Sequence, residues 1–409
     1  MKRRTACLVL CVCLLLCLAL PVGASDGAEF SDRGEIRNVG AVQMLVDLGL
    51  ISGYDDGTFR PGNFITREEV AKLVAILCTE NPQAPADVYF YDAQNSWALG
   101  YIGYCAGQGI IGGDGLGSFR PKDNVTAQEL AKMLLVILGQ DPETYSGAGW
   151  DERVNADAQS FGIYYGLTAQ VNQPVTRDNA CLLIYNAMRC PAIADPDAEG
   201  PERYVLDDLM NPRSYLEVRY DLTRYTAVLT GNEYADLTSN DGRLSAGVTK
   251  LAGHKEFAVS SDLSLLGREV DIYVKNGRVF GIPCYVTSEL YYTFENAQAL
   301  SKLLSDGAFS MADDALYYYN YNEAGSEVLS RSGTRLTVID HNNDMQFDTV
   351  LAVSCQEAEV VRVSPLPVRV GQDVLDAEKY CMSDVFSEGE AVWYMEIAGQ
   401  GFVQPMHAN

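Results

Sequence analysis

The chain has 409 residues, enough for several hydrophobic cores, and carries 55 acidic against 30 basic side chains for a net charge of −25. That balance excludes nucleic acid as a partner, because displacing its counterions needs clustered Lys and Arg. The seven cysteines beyond residue 24 (Cys78, Cys105, Cys181, Cys190, Cys284, Cys355 and Cys381) form no CxxC pair, which excludes a zinc ribbon and a dense disulfide framework.

In chain order, Lys2, Arg3 and Arg4 precede the apolar run "ACLVLCVCLLLCLALPV" and the small residues before Ser25. A basic start, a short apolar centre and a small-residue exit predict a signal peptide over 1–24. An uncleaved anchor is the alternative, although the run is short for a bilayer. No later stretch is apolar enough to span a membrane, so the mature chain is expected to be exported, with no membrane partner after cleavage.

Next comes a repeat. Displaced by sixty residues without a gap, Phe30 falls on Phe90, Asp32 on Asp92, Gly49 on Gly109 and Gly53 on Gly113. Gly57, Phe59, Arg60 and Pro61 fall on Gly117, Phe119, Arg120 and Pro121, and Thr66, Glu69 and Lys72 on Thr126, Glu129 and Lys132. Each unit reads as an apolar-periodic helix, a glycine-bearing loop and a second helix. Thr66 and Thr126 each have Glu three residues on, which predicts a capping box at the start of that helix. The predicted repeats cover 25–78, 86–140 and 146–190. In the third, Gly166 and Thr176 keep their places, but the loop between them is seven residues shorter and lacks a "GTFRP" element.

"FSD", "GLISG", "DGTFRP" and "ITREEVA" in the first unit, and "FYD", "SWALGYI", "GIIGG", "GSFRP" and "VTAQELA" in the second, make 25–190 similar to three S-layer homology domains. The resemblance implies a mostly helical, pseudo-threefold assembly. It also implies grooves that hold an anionic, pyruvylated secondary cell-wall polysaccharide at the bacterial surface. The family's ligand arginine then maps to Arg67 and Arg177, each with its helix start (Thr66, Glu69 and Thr176). Physical chemistry agrees in outline, since helix N-termini favour anions and Arg offers a fork that Lys lacks. Ala127 replaces the arginine in repeat two, and restoring it is expected to strengthen attachment. Asp32 and Asp92 either accept sugar hydroxyls or form turns, and Trp97 either stacks on a sugar face or packs in the core.

The stretch 191–202, with Pro191, Pro196 and Pro201 among acids and small residues, reads as a linker between halves that fold separately. Beyond it, β-branched alternation predicts a mostly β region of small barrel- or sandwich-like modules over 203–287 and 288–409, with a hairpin at Asn276–Gly277 and a helix at 295–305. Residues 225–287 are weakly similar to β-modules that follow such repeats in exported proteins. The fold class expected overall is α+β and multidomain.

Asp340, Asn342, Asp344 and Asp348 have the spacing of calcium ligands, but Met345 and Leu351 stand where Gly and a bidentate Glu belong. An Asx-rich turn is therefore the better reading, and no cofactor is expected. Three scattered histidines, no G-x-S-x-G elbow and no phosphate loop mark no catalytic constellation. The sequence thus reads as a non-enzymatic wall anchor that displays its β region, alone or in a lattice with other surface proteins. A wall-anchored carbohydrate- or peptidoglycan-active enzyme is the alternative, and a repeat scaffold without glycan affinity is a third reading.

Overall fold

The computed structural model describes residues 30–80, 82, 90–286 and 289–406, so the expected signal peptide lies outside the described residues. The repeats supply α1 (Val39–Asp47) and α2 (Arg67–Cys78), α3 (Leu99–Gly107) and α4 (Ala127–Ile137), and α5 (Trp150–Ser160) and α6 (Arg177–Met188). Both predicted capping boxes form, with the Thr66 and Thr126 hydroxyls accepting from the Glu69 and Glu129 amides. Thr176 also caps, accepting from Asn179.

The strand-like residue before each cap builds the centre. The Ile65 amide donates to the Val175 carbonyl, Val125 to Ile65, and Val175 to Val125. Three hydrogen bonds thus run head to tail around an axis lined by three buried aliphatic side chains, which is the expected pseudo-threefold. Around it the packing is exchanged cyclically. α3 lies on α2 of the preceding repeat, α5 lies on α4, and α1 closes the ring on α6. No repeat could bury its apolar face alone, as expected of repeat units.

The β region comprises three units, not the two expected. β1 (Thr223–Gly231), β2 (Thr249–Leu251), β3 (Glu256–Phe257), β4 (Glu269–Lys275) and β5 (Arg278–Tyr285) form an antiparallel sheet in the order 3-2-1-4-5. The Asn276–Gly277 turn takes positive φ at both residues (51° and 80°), as a two-residue hairpin requires. Residues 288–409 then divide. β6 (Leu290–Phe294), β7 (Ser310–Tyr319), β8 (Asn322–Ala324), β9 (Thr334–Asp340) and β10 (Gln346–Ser354) form a second sheet, 6-9-10-7-8, with α8 (Ala297–Ser305) against it. β11 (Gln356–Val360), β12 (Leu366–Val370), β13 (Asp373–Lys379), β14 (Ala391–Ile397) and β15 (Gln400–Pro405) close into a barrel. One buried cluster draws on all three units, joining Leu229 and Ile272 to Ile339 and Leu351 and to Met395 and Phe402.

The segment 191–202, expected to be a linker, is packed against both sides. That segment is tied by backbone bonds between Ala192 and Arg213, Val205 and Ala192, and Ala194 and Arg203. It leads into α7 (Tyr215–Tyr220), whose Leu216, with Leu222 and Tyr273, belongs to the repeat core. Arg219 donates to the Leu77 carbonyl at the end of α2, Arg189 pairs with Asp271 at 3.0 Å, and Asp47 accepts the Gly281 amide at 2.8 Å. α1 and β5 approach so closely that a Cβ at Gly40 would sit 2.6 Å from the Cys284 sulfur. Prolines and acids here mark a compact, hydrogen-bonded connection, a reading that composition alone does not distinguish from a linker.

Candidate functional site

The "FRP" loops explain where the two arginines go. In repeat one, the Asp32 carboxylate accepts the Phe59 and Arg60 amides at 2.8 and 2.7 Å. In repeat two, Asp92 accepts those of Phe119 and Arg120, both at 2.8 Å, and the Ser118 hydroxyl. These bonds hold Arg60 and Arg120 at φ of 57° and 60°, conformations that a side chain resists without support. Asp32 and Asp92 are therefore turn-builders, and the sugar-hydroxyl reading gives way to the loop. Although burial opposes it, the hydrogen bonds from Phe119, Ser118 and Arg120 hold the Asp92 carboxyl below its ordinary range.

Each loop is read by an arginine from the neighbouring repeat. Arg67, only 6% exposed, donates through Nε to the Phe119 carbonyl and through Nη2 to Gly112, and lies 4.7 Å over the Phe119 ring. Arg177, 7% exposed, makes the same bonds to Phe59 and Ser52. Repeat two would reach into repeat three, where the loop is short, and there the position is Ala127, fully buried. The lost arginine and the lost loop are therefore one event. A guanidinium at 127 would have no such carbonyls to meet.

The helix starts are also closed. The Arg67 and Glu68 amides donate to the Asp123 and Pro121 carbonyls, Ala127 and Gln128 to Gln173 and Val171, and Arg177 and Asp178 to Asn63 and Pro61. With the third amide taken by the cap, these N-termini offer an anion no free backbone donors. Thr66, Glu69 and Thr176, expected to receive ligand at the helix start, all take part in capping, Glu69 through one carboxylate oxygen. Trp97 stays available. Its ring is 55% exposed, while its indole N–H donates to the buried Glu68 carboxylate, which also takes Ser96 and Lys122.

What remains open is a cavity of about 350 Å³ between the repeat-two loop and the entry to repeat three. Arg67, Arg120 and Lys132 face it against Glu129 alone, with Trp150 and Gly112–Gly113 completing the wall. The Arg67 Nη1 is 3.4 Å from Glu129. Lys132 donates to the Tyr145 carbonyl and lies 5.7 Å from the centre of the Trp150 indole. Burial pulls both cations down from their ordinary values, with Glu129 opposing at Arg67 and Glu143 at Lys132. An excess of cation beside an indole, in a chain this acidic, is a local reversal of sign. Lys132 and Trp150 were not singled out in the sequence, yet the sixty-residue displacement places Trp150 on Phe90 and Lys132 on Lys72.

The 340–348 loop, between β9 and β10, is a hydrogen-bonded turn. Asp340, fully buried, accepts the Asp344 and Met345 amides, Asp348 accepts His341, and Asp344 accepts Gln346. No group of acidic, His or Cys side chains among the described residues is arranged to hold a metal.

The described residues form a ring of repeats that turns one cationic groove outward and is fused to β units. Residues 29–71 and 89–131 match the S-layer homology domain. The chain therefore carries S-layer homology domains at its first two repeats. It is 24% identical over 341 residues to a "Cell surface protein" of Thermoanaerobacter kivui, covering 79% of this chain and 42% of that one. That match is longer than the repeats and so includes β units. The "S-layer protein EA1" of Bacillus anthracis is 32% identical over 96 residues, 24% of this chain and 11% of its own. An "Uncharacterized cell wall amidase" of the same organism is 38% identical over 85 residues, 21% of this chain and 16% of its own. The chain thus spans less than half the length of these relatives. No helix among the described residues is long and apolar enough to cross a membrane.

Proposed function

We propose that the chain attaches to the bacterial wall by binding an anionic, pyruvylated secondary polysaccharide in the repeat-two groove. The observation that supports this reading is the cluster of Arg67, Arg120 and Lys132 beside Trp150, with Glu129 the one carboxylate among the groove's lining residues. A pyruvyl carboxylate would meet the Arg67 and Arg120 guanidiniums and the Lys132 ammonium, while the indole covers a sugar face. The Arg177 groove, with Arg60 and Lys72 in the matching places, is a second and weaker candidate. Trp97, with its ring 55% exposed, offers a further stacking surface.

Sedimentation of the exported chain with purified walls tests this, before and after acid removal of the secondary polymer. Binding should disappear with the polymer. Binding that survives its removal would contradict the reading.

The amidase-named relative keeps a second reading in view, a wall-active enzyme within 203–409. Its match covers 85 residues, 21% of this chain and 16% of its own. Incubation of the full chain with peptidoglycan should release no fragments.

A further inference from the structure

Between α5–α6 and the first sheet lies a cavity of about 720 Å³, lined among others by Tyr165, Asn186, Arg189, Arg224, Glu269 and Val286. A second, of about 370 Å³, shares Tyr165 and Val286 and adds Arg268, Tyr285 and Tyr291. The two share lining residues across the junction of repeat three and the β region, and none of them lines the repeat-two groove. Their size is that of a site that encloses a ligand.

Two features of the lining point to a ligand class. Tyr165 and Tyr285 are 49% and 36% exposed, with ring centres 6.5 Å apart. Arg268 lies 4.2 Å from Tyr285 and 4.1 Å from Tyr291, so these rings are held rigid from one side. The three arginines of the lining are each matched. Arg189 pairs with Asp271 at 3.0 Å, Arg224 with Glu217 at 3.5 Å, and Arg268 with Glu289 at 2.6 Å. The Glu269 side chain faces the cavity without a hydrogen-bond partner among the described residues, and the Asn186 amide nitrogen donates to the Ile163 and Tyr165 carbonyls. With the arginines paired and Glu269 left over, the wall gives an anion no net attraction. It supplies flat rings together with donors and acceptors of both kinds, which suits the apolar faces and hydroxyls of a sugar chain.

We propose that this junction cleft is a second glycan site, selective for a neutral saccharide of two or more rings, with Tyr165 and Tyr285 as stacking residues. The site works independently of the anionic-polymer groove. Chitotetraose and cellotetraose are the probes, titrated calorimetrically into the exported chain. At least one should bind saturably. Tyr165→Ala and Tyr285→Ala should each weaken it by about three- to tenfold, the scale of one aromatic contact, whereas Tyr165→Phe keeps the ring and should retain affinity. Lys132→Ala, in the repeat-two groove, should leave tetrasaccharide binding unchanged while wall sedimentation falls. No saturable binding of either probe would overturn the proposal. So would affinity unaltered in a folded Tyr165→Ala/Tyr285→Ala double variant, or affinity lost in Lys132→Ala.

Discussion

At the residue scale, buried and strained groups make checkable demands. Asp384, on the turn after β13, is pushed up to about 7, first by burial and then by the nearby Asp262 carboxylate. Asp262, mostly buried, is itself raised by burial and carries bonds from Ser264 and the Met382 amide. A carboxyl raised in the folded state contributes stability that is full below its unfolded value and is lost as pH climbs through the folded one. Stability should therefore decline between about pH 4 and pH 7 on this account. Asp384→Asn should flatten that decline, which urea titrations at several pH values would measure; an unchanged slope would mean the group does not titrate there. Met345 sits at φ of 70°, half exposed, in the turn between β9 and β10. Met345→Gly should relieve strain and raise stability by up to about 1 kcal/mol, and millimolar calcium should not move the melting temperature of either protein. That loop was legible in the sequence because Met345 and Leu351 break the ligand pattern. The Asp262–Asp384 pair was not, since carboxylates over a hundred residues apart meet only through the fold.

At the scale of elements, loop and arginine form a matched pair shared between repeats. Removing the guanidinium in Arg67→Ala strands the Phe119 and Gly112 carbonyls, so the variant should lose stability, by about 1–3 kcal/mol, as well as affinity. Affinity measurements on it therefore need a parallel denaturation curve. The same logic reverses the expectation for repeat two. Ala127→Arg would bury an unmatched cation beneath a loop too short to receive it, and should cost at least about 2 kcal/mol without strengthening attachment. A folded Ala127→Arg protein that sediments more strongly with walls would contradict this. The repeats, their caps and the displacement that aligns them were readable because helix periodicity, Gly turns and Thr-x-x-Glu caps are local signals. The cyclic exchange was not readable, since nothing in "TREEVA" states whose loop the arginine braces. For the same reason Asp32 and Asp92 looked available when their oxygens belong to the backbone.

At the scale of the whole molecule, the repeats and the first sheet share a core through Leu216, Leu222 and Tyr273 and are pinned by Arg189–Asp271 and Asp47–Gly281. Thermal unfolding should show the repeats and this sheet melting together, and a 25–190 fragment should melt lower than the same residues in the full chain. Two separate transitions, with the fragment as stable as the intact repeats, would restore the division at 191–202. Composition suggested that division because prolines and acids are common to linkers and to tight connections; the partners that decide between them, Arg213, Arg203 and Leu77, lie elsewhere in the chain. The central claim is that a cationic, indole-bearing groove in repeat two holds the protein on an anionic wall polymer. The most direct measurement is co-sedimentation of folded Lys132→Ala/Trp150→Ala protein with polymer-bearing walls, since neither residue braces an "FRP" loop. The account predicts a loss of affinity of about ten- to a hundredfold relative to the unaltered chain. Full sedimentation by that variant, with circular dichroism unchanged, would contradict it.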